Sequence, residues 1–330
     1  MITITGSVLR ILPLKAVTVE GNPQKAADLI LADERAYWRV ALWDEQVNLV
    51  LSGTLKVGDG VRIENASLSQ RPEEGNPRVH AGNYACITRL AAPIAPLRDV
   101  PAVKLTVLAV VRPERGIVCV AGIDEHGSWL RPQHVYESEL LAAARPLFRN
   151  LCISAVYLDA WRGRRARTED RLFVYSRGVE KELPADEKKA FLEQHVDPSV
   201  DAVFKSGRTL GLIKPQILLV YEERTRREEK KHEQYIRFTF KDCSGRVHWR
   251  WPCRCAAFYA RWNALKARHR FTCGWRMRQY LKKSETYLAI GLTYTDYGRT
   301  TLEYGAYPLI VGVHIVLKSE RCEERAEESE

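Results

Sequence analysis

Residues 1–95 consist of short apolar and aromatic runs separated by turn residues. The shortness of these runs is the feature that most strongly limits what the segment can fold into. No long run there has the spacing of an amphipathic helix, whereas the runs have the length and β-branched content of strands. Strands are predicted at residues 2–12, 27–32, 37–43, 61–68 and 79–90, with a turn of helix at residues 45–51. Five strands with one short helix between the third and the fourth predict a small β-barrel of the OB type.

Two short motifs support this barrel. Leu42-Trp43-Asp44 ends the third predicted strand, and Gly58-Asp59 precedes the fourth. Together with the segments around them, these residues resemble the OB domains of replication protein A and its archaeal single-strand-binding relatives. The resemblance covers most of residues 1–90 and implies a barrel that binds single-stranded nucleic acid.

Binding of a single strand requires aromatic rings for base stacking and cations along the phosphate backbone. The stacking candidates are Trp38, Trp43 and Tyr84, and the phosphate candidates are Arg10, Arg39, Arg62 and Arg89. Because side chains alternate along a strand, Tyr37, Arg39 and Trp43 share one face while Trp38 lies on the other. The alternative is that Trp43 caps the barrel core.

Charge is distributed unevenly. The whole chain carries a net charge of +10, yet residues 1–95 contain ten basic and ten acidic residues, and residues 96–319 carry +14. A basic balance favours polyanionic partners. The neutrality of residues 1–95 weakens non-specific attraction to nucleic acid, so docking of a protein partner on the N-terminal barrel stays open as an alternative.

The second part of the chain follows a proline-rich segment, in which Pro93, Pro96 and Pro101 indicate an extended connector. The predicted organisation is an OB-fold at residues 1–95, a linker at 96–102, a β module at 103–318 and an acidic flexible tail at 319–330. The module resembles the dual-OB domain of microbial proteins. The resemblance lies in residues 115–123, 129–132, 168–172, 210–215 and 288–292. It implies a tandem pair of OB-like barrels that binds nucleic acid and brings no catalytic residues. The fold class is therefore predicted as mainly β, with a few short helices.

A basic segment inside the module is a further candidate for backbone contact. It contains Trp161, Arg162, Arg164, Arg165 and Arg167. Guanidinium groups bind phosphates in a bidentate manner and stack on bases, and the tryptophan adds a ring face. The alternative is a solvated loop without function.

Four cysteines are close enough in sequence to suggest a metal site: Cys243, Cys253, Cys255 and Cys273. Four thiolates can hold Zn²⁺ or an iron–sulfur cluster. Their spacing lacks the paired CxxC knuckles of structural zinc sites, so ordinary buried thiols remain the alternative.

Signatures of enzymes are missing from the sequence. It contains no GxxxxGK[ST], GxSxG, HExxH or GxGxxG motif.

Without a signal peptide or an apolar run of membrane-spanning length, the chain is predicted to be cytoplasmic, with no membrane partner. The predicted function is non-catalytic binding of nucleic acid, with single-stranded DNA favoured over RNA, in replication, repair or defence. One alternative is a scaffold that docks protein partners through the N-terminal barrel or the acidic tail, and another is a metal-dependent nuclease.

Overall fold

The structure is a computed structural model that describes residues 1–19, 22–69, 78–160, 167–227, 230–293 and 302–317. Its residues cluster into two compact units. Within the described ranges, the first unit comprises Met1–Val103 together with parts of Val156–Ala166 and Leu172–Ser176. The second comprises Lys104–Ala155, Arg167–Arg171 and the described residues from Arg177 onward. The prediction of a mainly β chain with a few short helices is confirmed.

The first barrel is formed by the N-terminal residues. Its elements are β1 (Ile2–Ile11), β2 (Lys15–Val19), β3 (Asn22–Ala32), β4 (Tyr37–Trp43), a 3₁₀ turn (Asp44–Gln46), α1 (Val47–Leu51), β5 (Gly60–Ser69), β6 (Arg78–Ala81) and β7 (Cys86–Arg89). The sheet runs β1-β3-β4-β6-β5, and β1 pairs again with β5, which closes the barrel. Strands β4 and β6 are parallel, and α1 lies between the third and fourth barrel strands, as predicted. Residues 79–90, predicted as one strand, form the two strands β6 and β7 instead.

Alternate side chains of the barrel strands point inward and fill the core of this barrel. Leu29 and Leu31 of β3, together with Val40 and Leu42 of β4, have no exposed surface. Strand β1 pairs with β5 over its first half and with β3 over its second. At the crossing, a Cβ on Gly6 would lie 2.6 Å from the carbonyl oxygen of Ala32. The two backbones therefore approach each other too closely for any side chain at this position.

The proline-rich segment lies along the first barrel. The backbone N–H of Ile94 donates to Ser7 Oγ at 2.8 Å, and that of Leu97 donates to the carbonyl of Asp33 at 2.7 Å. The side chain of Leu97 is fully buried. These contacts fix the residues that follow β7 onto the barrel wall.

A second barrel follows. Its elements are β8 (Val103–Val110), β9 (Ile117–Val118), β10 (Val120–Ile123), β11 (Trp129–Gln133), β12 (Val135–Tyr136), α2 (Glu137–Ala142), β13 (Cys152–Ala160) and β14 (Asp170–Glu182). Strands β8, β10, β11, β14 and β13 form a closed barrel in that order. Numbered along the chain, the order is first, second, third, fifth, fourth, which is also the order in the first barrel. Helix α2 again lies between the third and fourth barrel strands.

The remaining described residues form a third sheet. Its elements, after α3 (Ala185–Gln194), are α4 (Val200–Phe204), β15 (Leu210–Ile213), β16 (Gln216–Arg227), β17 (Lys230–Lys241), β18 (Val247–Cys253), α5 (Ala256–Arg268), α6 (Cys273–Lys282), β19 (Ser284–Leu292) and β20 (Pro308–Leu317). The order is β15-β19-β20-β18-β17-β16. The two edge strands are consecutive in the chain, separated only by Lys214 and Pro215. If β15 and β16 are counted as one interrupted first strand, the barrel order occurs a third time.

Among the helices of the described residues, none is long and apolar enough to span a bilayer.

Candidate nucleic-acid interface

The outer face of β3, β4 and β6 brings together residues from distant parts of the sequence. Because alternate residues face the core, Asp28, Arg39 and Arg78 point to the outside. The pairing register places Arg39 beside Arg78 and Ala41 beside His80. It also places Asp28 opposite Ala41. The outer face is thus built around a central carboxylate with cations on the adjacent strands.

Asp28 is the centre of this cluster. Its side chain is fully buried and accepts bonds from Lys15 Nζ at 2.9 Å and Arg39 Nη2 at 3.0 Å. Its other oxygen accepts from Arg78 Nη2. The three cations retain 45%, 27% and 20% of their side-chain exposure, respectively. The surface therefore presents these three positive groups, while the carboxylate of Asp28 lies beneath them.

The pKa of Asp28 shows which effect dominates at this site. Burial alone would raise the pKa of this carboxyl group. The hydrogen bond from Lys15 and the charges of Arg78 and Arg39 outweigh burial and lower the pKa to about 2. The carboxylate is therefore ionised at neutral pH, and the cluster carries a net charge of +2.

The two guanidinium groups have unused donors. Arg39 Nε and Arg78 Nε are buried, and neither has a hydrogen-bond partner within the described part of the chain. Buried donors of this kind are uncommon in native proteins unless water, an ion or a ligand satisfies them. A further acceptor can therefore reach only the exposed part of each side chain, 27% for Arg39 and 20% for Arg78, while both stay bonded to Asp28.

An aromatic pair lies on the same face. Trp43 Nε1 donates to His80 Nδ1 at 3.0 Å. Their ring centroids lie 6.0 Å apart at an interplanar angle of 15°. Trp43 is half-buried, so the hydrogen bond fixes its orientation while part of the ring surface stays accessible.

The other end of the outer face is covered by apolar packing. Leu9, Ile30 and Ala32 are buried against Leu97, Tyr157 and Val174. Arg10 is also buried there and donates to the carbonyl of Phe173 at 2.5 Å. The Cζ atom of its guanidinium group lies 4.5 Å from the centre of the Phe173 ring. Arg10 thus stabilises the fold and is not placed to contact phosphate.

The other predicted residues of the first barrel have separate positions. Trp38 lies on the inner face and packs against the core. Arg62 on β5 pairs with Glu64 at 2.8 Å, and Arg89 on β7 pairs with Asp59 at 2.6 Å. Tyr84 is 89% exposed in the turn after β6. Because β4 and β6 are parallel, this turn lies at the end of the sheet that carries Trp43.

Of the predicted residues, the structure places Arg39 and Trp43 together on the outer face. Sequence reasoning missed Lys15, Asp28, Arg78 and His80 as members of the same face. The spacing of Arg78 and His80, two residues apart, was the available signal, since both point the same way if residues 78–81 form a strand.

The basic segment of the module is only partly described. Trp161, Arg162, Arg164 and Arg165 lie outside the described residues. Arg167 donates through Nη1 to the carbonyl of Leu292 at 3.0 Å and also to that of Thr293. This guanidinium group therefore binds the carbonyl end of β19.

Motifs of the dual-OB resemblance meet in a buried polar network within the second unit. Arg131 Nε donates to Asp170 Oδ1 at 2.8 Å, and both residues are almost fully buried. The backbone N–H of Thr209 donates to Glu169 Oε1 at 2.6 Å. Removal of one member of such a pair leaves an unpaired buried charge. Buried polar contacts thus join segments that are far apart in the sequence.

The four cysteines proposed as metal ligands have different surroundings. Cys243 is exposed, with its thiol 3.3 Å from the carbonyl of Lys214. Cys253, Cys255 and Cys273 are buried, and burial raises the pKa of each thiol. No group of three or more metal-binding side chains occurs among the residues that the structure describes. A zinc or iron–sulfur site therefore stays a prediction from spacing.

Comparisons with known proteins give matches among solved structures only. No protein-family model matches the chain, and no curated protein does. An OB domain from Thermoplasma acidophilum aligns with 28% of this chain and 77% of its own, at 22% identity and a TM-score of 0.23. A replication factor A related protein from Methanobacterium thermoautotrophicum aligns with 27% of this chain and 79% of its own, at 24% identity and a TM-score of 0.24. A replication protein A heterotrimer bound to single-stranded DNA aligns over 95% of this chain and 93% of its own, at 8% identity and a TM-score of 0.31.

Proposed function

We propose that the protein binds single-stranded nucleic acid, without catalysis, on the outer face of β3, β4 and β6. The observation that carries this proposal is the group of three cations around the buried carboxylate of Asp28, beside the Trp43–His80 pair. In OB barrels, the face of the second and third strands is the one that binds oligonucleotides. Strands β3 and β4 occupy those positions here.

Each part of the face has a defined role in this proposal. Lys15, Arg39 and Arg78 contact phosphate oxygens through the parts of their side chains that stay exposed. Trp43 provides a ring face on which a base stacks. The bond to His80 holds that ring in place before binding, which lowers the entropy cost of ordering it.

The equal numbers of charges in residues 1–95 do not contradict this role. The carboxylate nearest to the cations lies beneath them, so the local surface is positive although the segment sums to zero. Binding depends on the local charge within about a Debye length, which is roughly 8 Å at physiological salt.

DNA is the proposed polymer, in replication, repair or defence. The test compares single strands of DNA and of RNA. Fluorescently labelled single strands of about 16 nucleotides, the upper end of the site of one OB fold, are titrated with the full chain. A duplex of the same sequence serves as the competitor.

Variants of Trp43 test the stacking role. Trp43→Ala is expected to weaken binding by roughly 5- to 150-fold, since one stacked base contributes about 1–3 kcal/mol. Trp43→Phe keeps a ring and is expected to retain most of the affinity. If the wild-type protein binds no oligonucleotide at low salt, the proposed function is wrong, and a scaffold that docks protein partners becomes the better account.

A further inference from the structure

A strongly basic helical hairpin lies in the second unit, apart from the residues of the proposed face. Residues 256–283, which include α5 and α6, contain eight lysines and arginines and no acidic residue. Helix α5 packs on β20, and α6 packs on β16 and β19. The hairpin is therefore fixed to a sheet and concentrates positive charge on a rigid element.

Most of these cations have no negative partner among the residues that the structure describes. The exposed ones are Arg261, Arg268, Arg270, Arg276, Lys282 and Lys283. Within the described part of the chain, Lys266 is the hairpin cation that forms an ion pair, with Glu222 at 2.8 Å. Arg278 adds a buried Nε without a hydrogen-bond partner among those residues. Like charges so close together repel one another, and a bound polyanion relieves that repulsion.

Two large aromatic side chains lie at the corner between the helices. Phe271 is 95% exposed and Trp275 is 62% exposed. The guanidinium group of Arg270 lies 5.9 Å from the centre of the Phe271 ring. Exposed rings cost free energy in water, and rings interleaved with arginines are the usual composition of a surface that stacks bases and binds phosphates.

We propose that the α5–α6 hairpin is a second nucleic-acid contact, in which Phe271 and Trp275 stack on bases. The neighbouring arginines, Arg268, Arg270 and Arg276, bind the phosphates. The site goes beyond the proposed function because it lies in the other unit and uses helices instead of a strand face. Its eight cations make up more than half of the net charge of +14 of residues 96–319, which the outer face of the first barrel does not use.

The distribution of apolar residues favours nucleic acid over a membrane surface. A helix that lies on a membrane presents an apolar stripe along its length. Here the apolar faces of both helices are buried in the core, through Phe258 and Trp262 of α5 and Met277 and Leu281 of α6. The exposed rings are confined to the corner, which leaves a charged surface along the helices.

Photo-crosslinking to a single strand that contains bromodeoxyuridine, followed by peptide mapping, tests the proposal on the full chain. We expect crosslinks at Phe271 or Trp275 in the wild type and also in the Arg39→Ala, Arg78→Ala variant. Crosslinks that map only to the first barrel overturn the hairpin site and leave the proposed function intact. Crosslinks that map only to the hairpin support the hairpin site and overturn the proposed site on the outer face of β3, β4 and β6.

Binding of the Phe271→Ala, Trp275→Ala variant provides the quantitative arm. We expect a loss of about 30-fold or more in affinity, since two stacked bases contribute at least about 1 kcal/mol each. Trp249→Ala is the matched control, because Trp249 is 71% exposed and lies outside the hairpin. Both hairpin rings are exposed, so the thermal midpoint should not change. If the double variant binds DNA with unchanged affinity, the proposal is wrong. Loss of binding to vesicles of phosphatidylcholine and phosphatidylglycerol would then assign the two rings to a membrane surface.

Discussion

At the scale of single residues, Asp28 has a role that its charge alone does not indicate. A carboxylate on a surface that binds a polyanion reduces attraction, yet here it is buried and bonded to three cations. It holds Arg39 and Arg78 in fixed positions beside Trp43. Ordering long side chains in the free protein lowers the entropy cost of binding. The same bonds make Asp28 a stabilising residue.

The pH dependence of stability follows from the pKa of Asp28, lowered from 3.8 to about 2. Because the pKa is lower in the folded state, the contribution is present above pH 4 and is lost as pH falls towards 2. It amounts to about 2 kcal/mol. Asp28→Asn should lower the free energy of urea unfolding by about this amount at pH 7, and the difference from wild type should shrink at pH 3. A constant difference across this range would contradict the role of ionisation.

At the scale of elements, the strands of the first barrel were predictable because one face of each is buried, which imposes alternation along β3 and β4. The pair Arg39 and Trp43 followed from that alternation. Arg78 and His80 did not, since β6 has only four residues and its parallel pairing with β4 joins segments distant in sequence. Local patterns also do not show how the proline-rich segment packs, or that Arg131 pairs with Asp170. Both features join residues that are distant in the sequence.

The close approach of β1 and β3 gives a prediction about an element. Gly6→Ala places a Cβ against the backbone of Ala32, and relief of that clash requires a shift of the strand. We expect the free energy of unfolding to fall by about 1–3 kcal/mol, measured by urea denaturation. Gly82→Ala is the matched control, because a Cβ there meets nothing within 4 Å. Equal stability of the two variants would show that β1 tolerates a side chain at the crossing.

At the scale of the whole molecule, one strand order recurs along the chain. In each case a helical segment separates the third strand from the fourth, and the third and last strands are neighbours. The insertion is a single turn of helix in the first barrel and a helical hairpin in the third sheet. The same architecture thus carries both proposed sites, one on a strand face and one on a helical hairpin within the basic residues 96–319.

Acid stability of the second unit depends on a buried histidine. His314 donates through Nε2 to the carbonyl of Leu108 at 2.9 Å. Burial, partly opposed by this bond, lowers its pKa from 6.5 to about 4. The unfolded chain therefore takes up a proton first, and stability should fall by about 3 kcal/mol as pH drops from 6.5 to 4. His314→Gln should make the thermal midpoint less dependent on pH between 6.5 and 4. His126→Gln changes an exposed histidine and should leave that dependence as in the wild type. A wild-type midpoint that does not change with pH in this window would contradict the role of His314.

The salt dependence of binding to a single strand tests the central claim most directly. Each phosphate contact on a single strand contributes about −0.7 to the slope of the logarithm of affinity against that of salt concentration. Arg39→Ala, Arg78→Ala should therefore reduce the slope by about 1.4, while Arg39→Lys, Arg78→Lys should preserve it. Arg149→Ala, which removes an exposed arginine paired with Glu182, is the control and should have the wild-type slope. If the double alanine variant keeps the affinity and slope of the wild type, the outer face of β3, β4 and β6 is not the nucleic-acid interface.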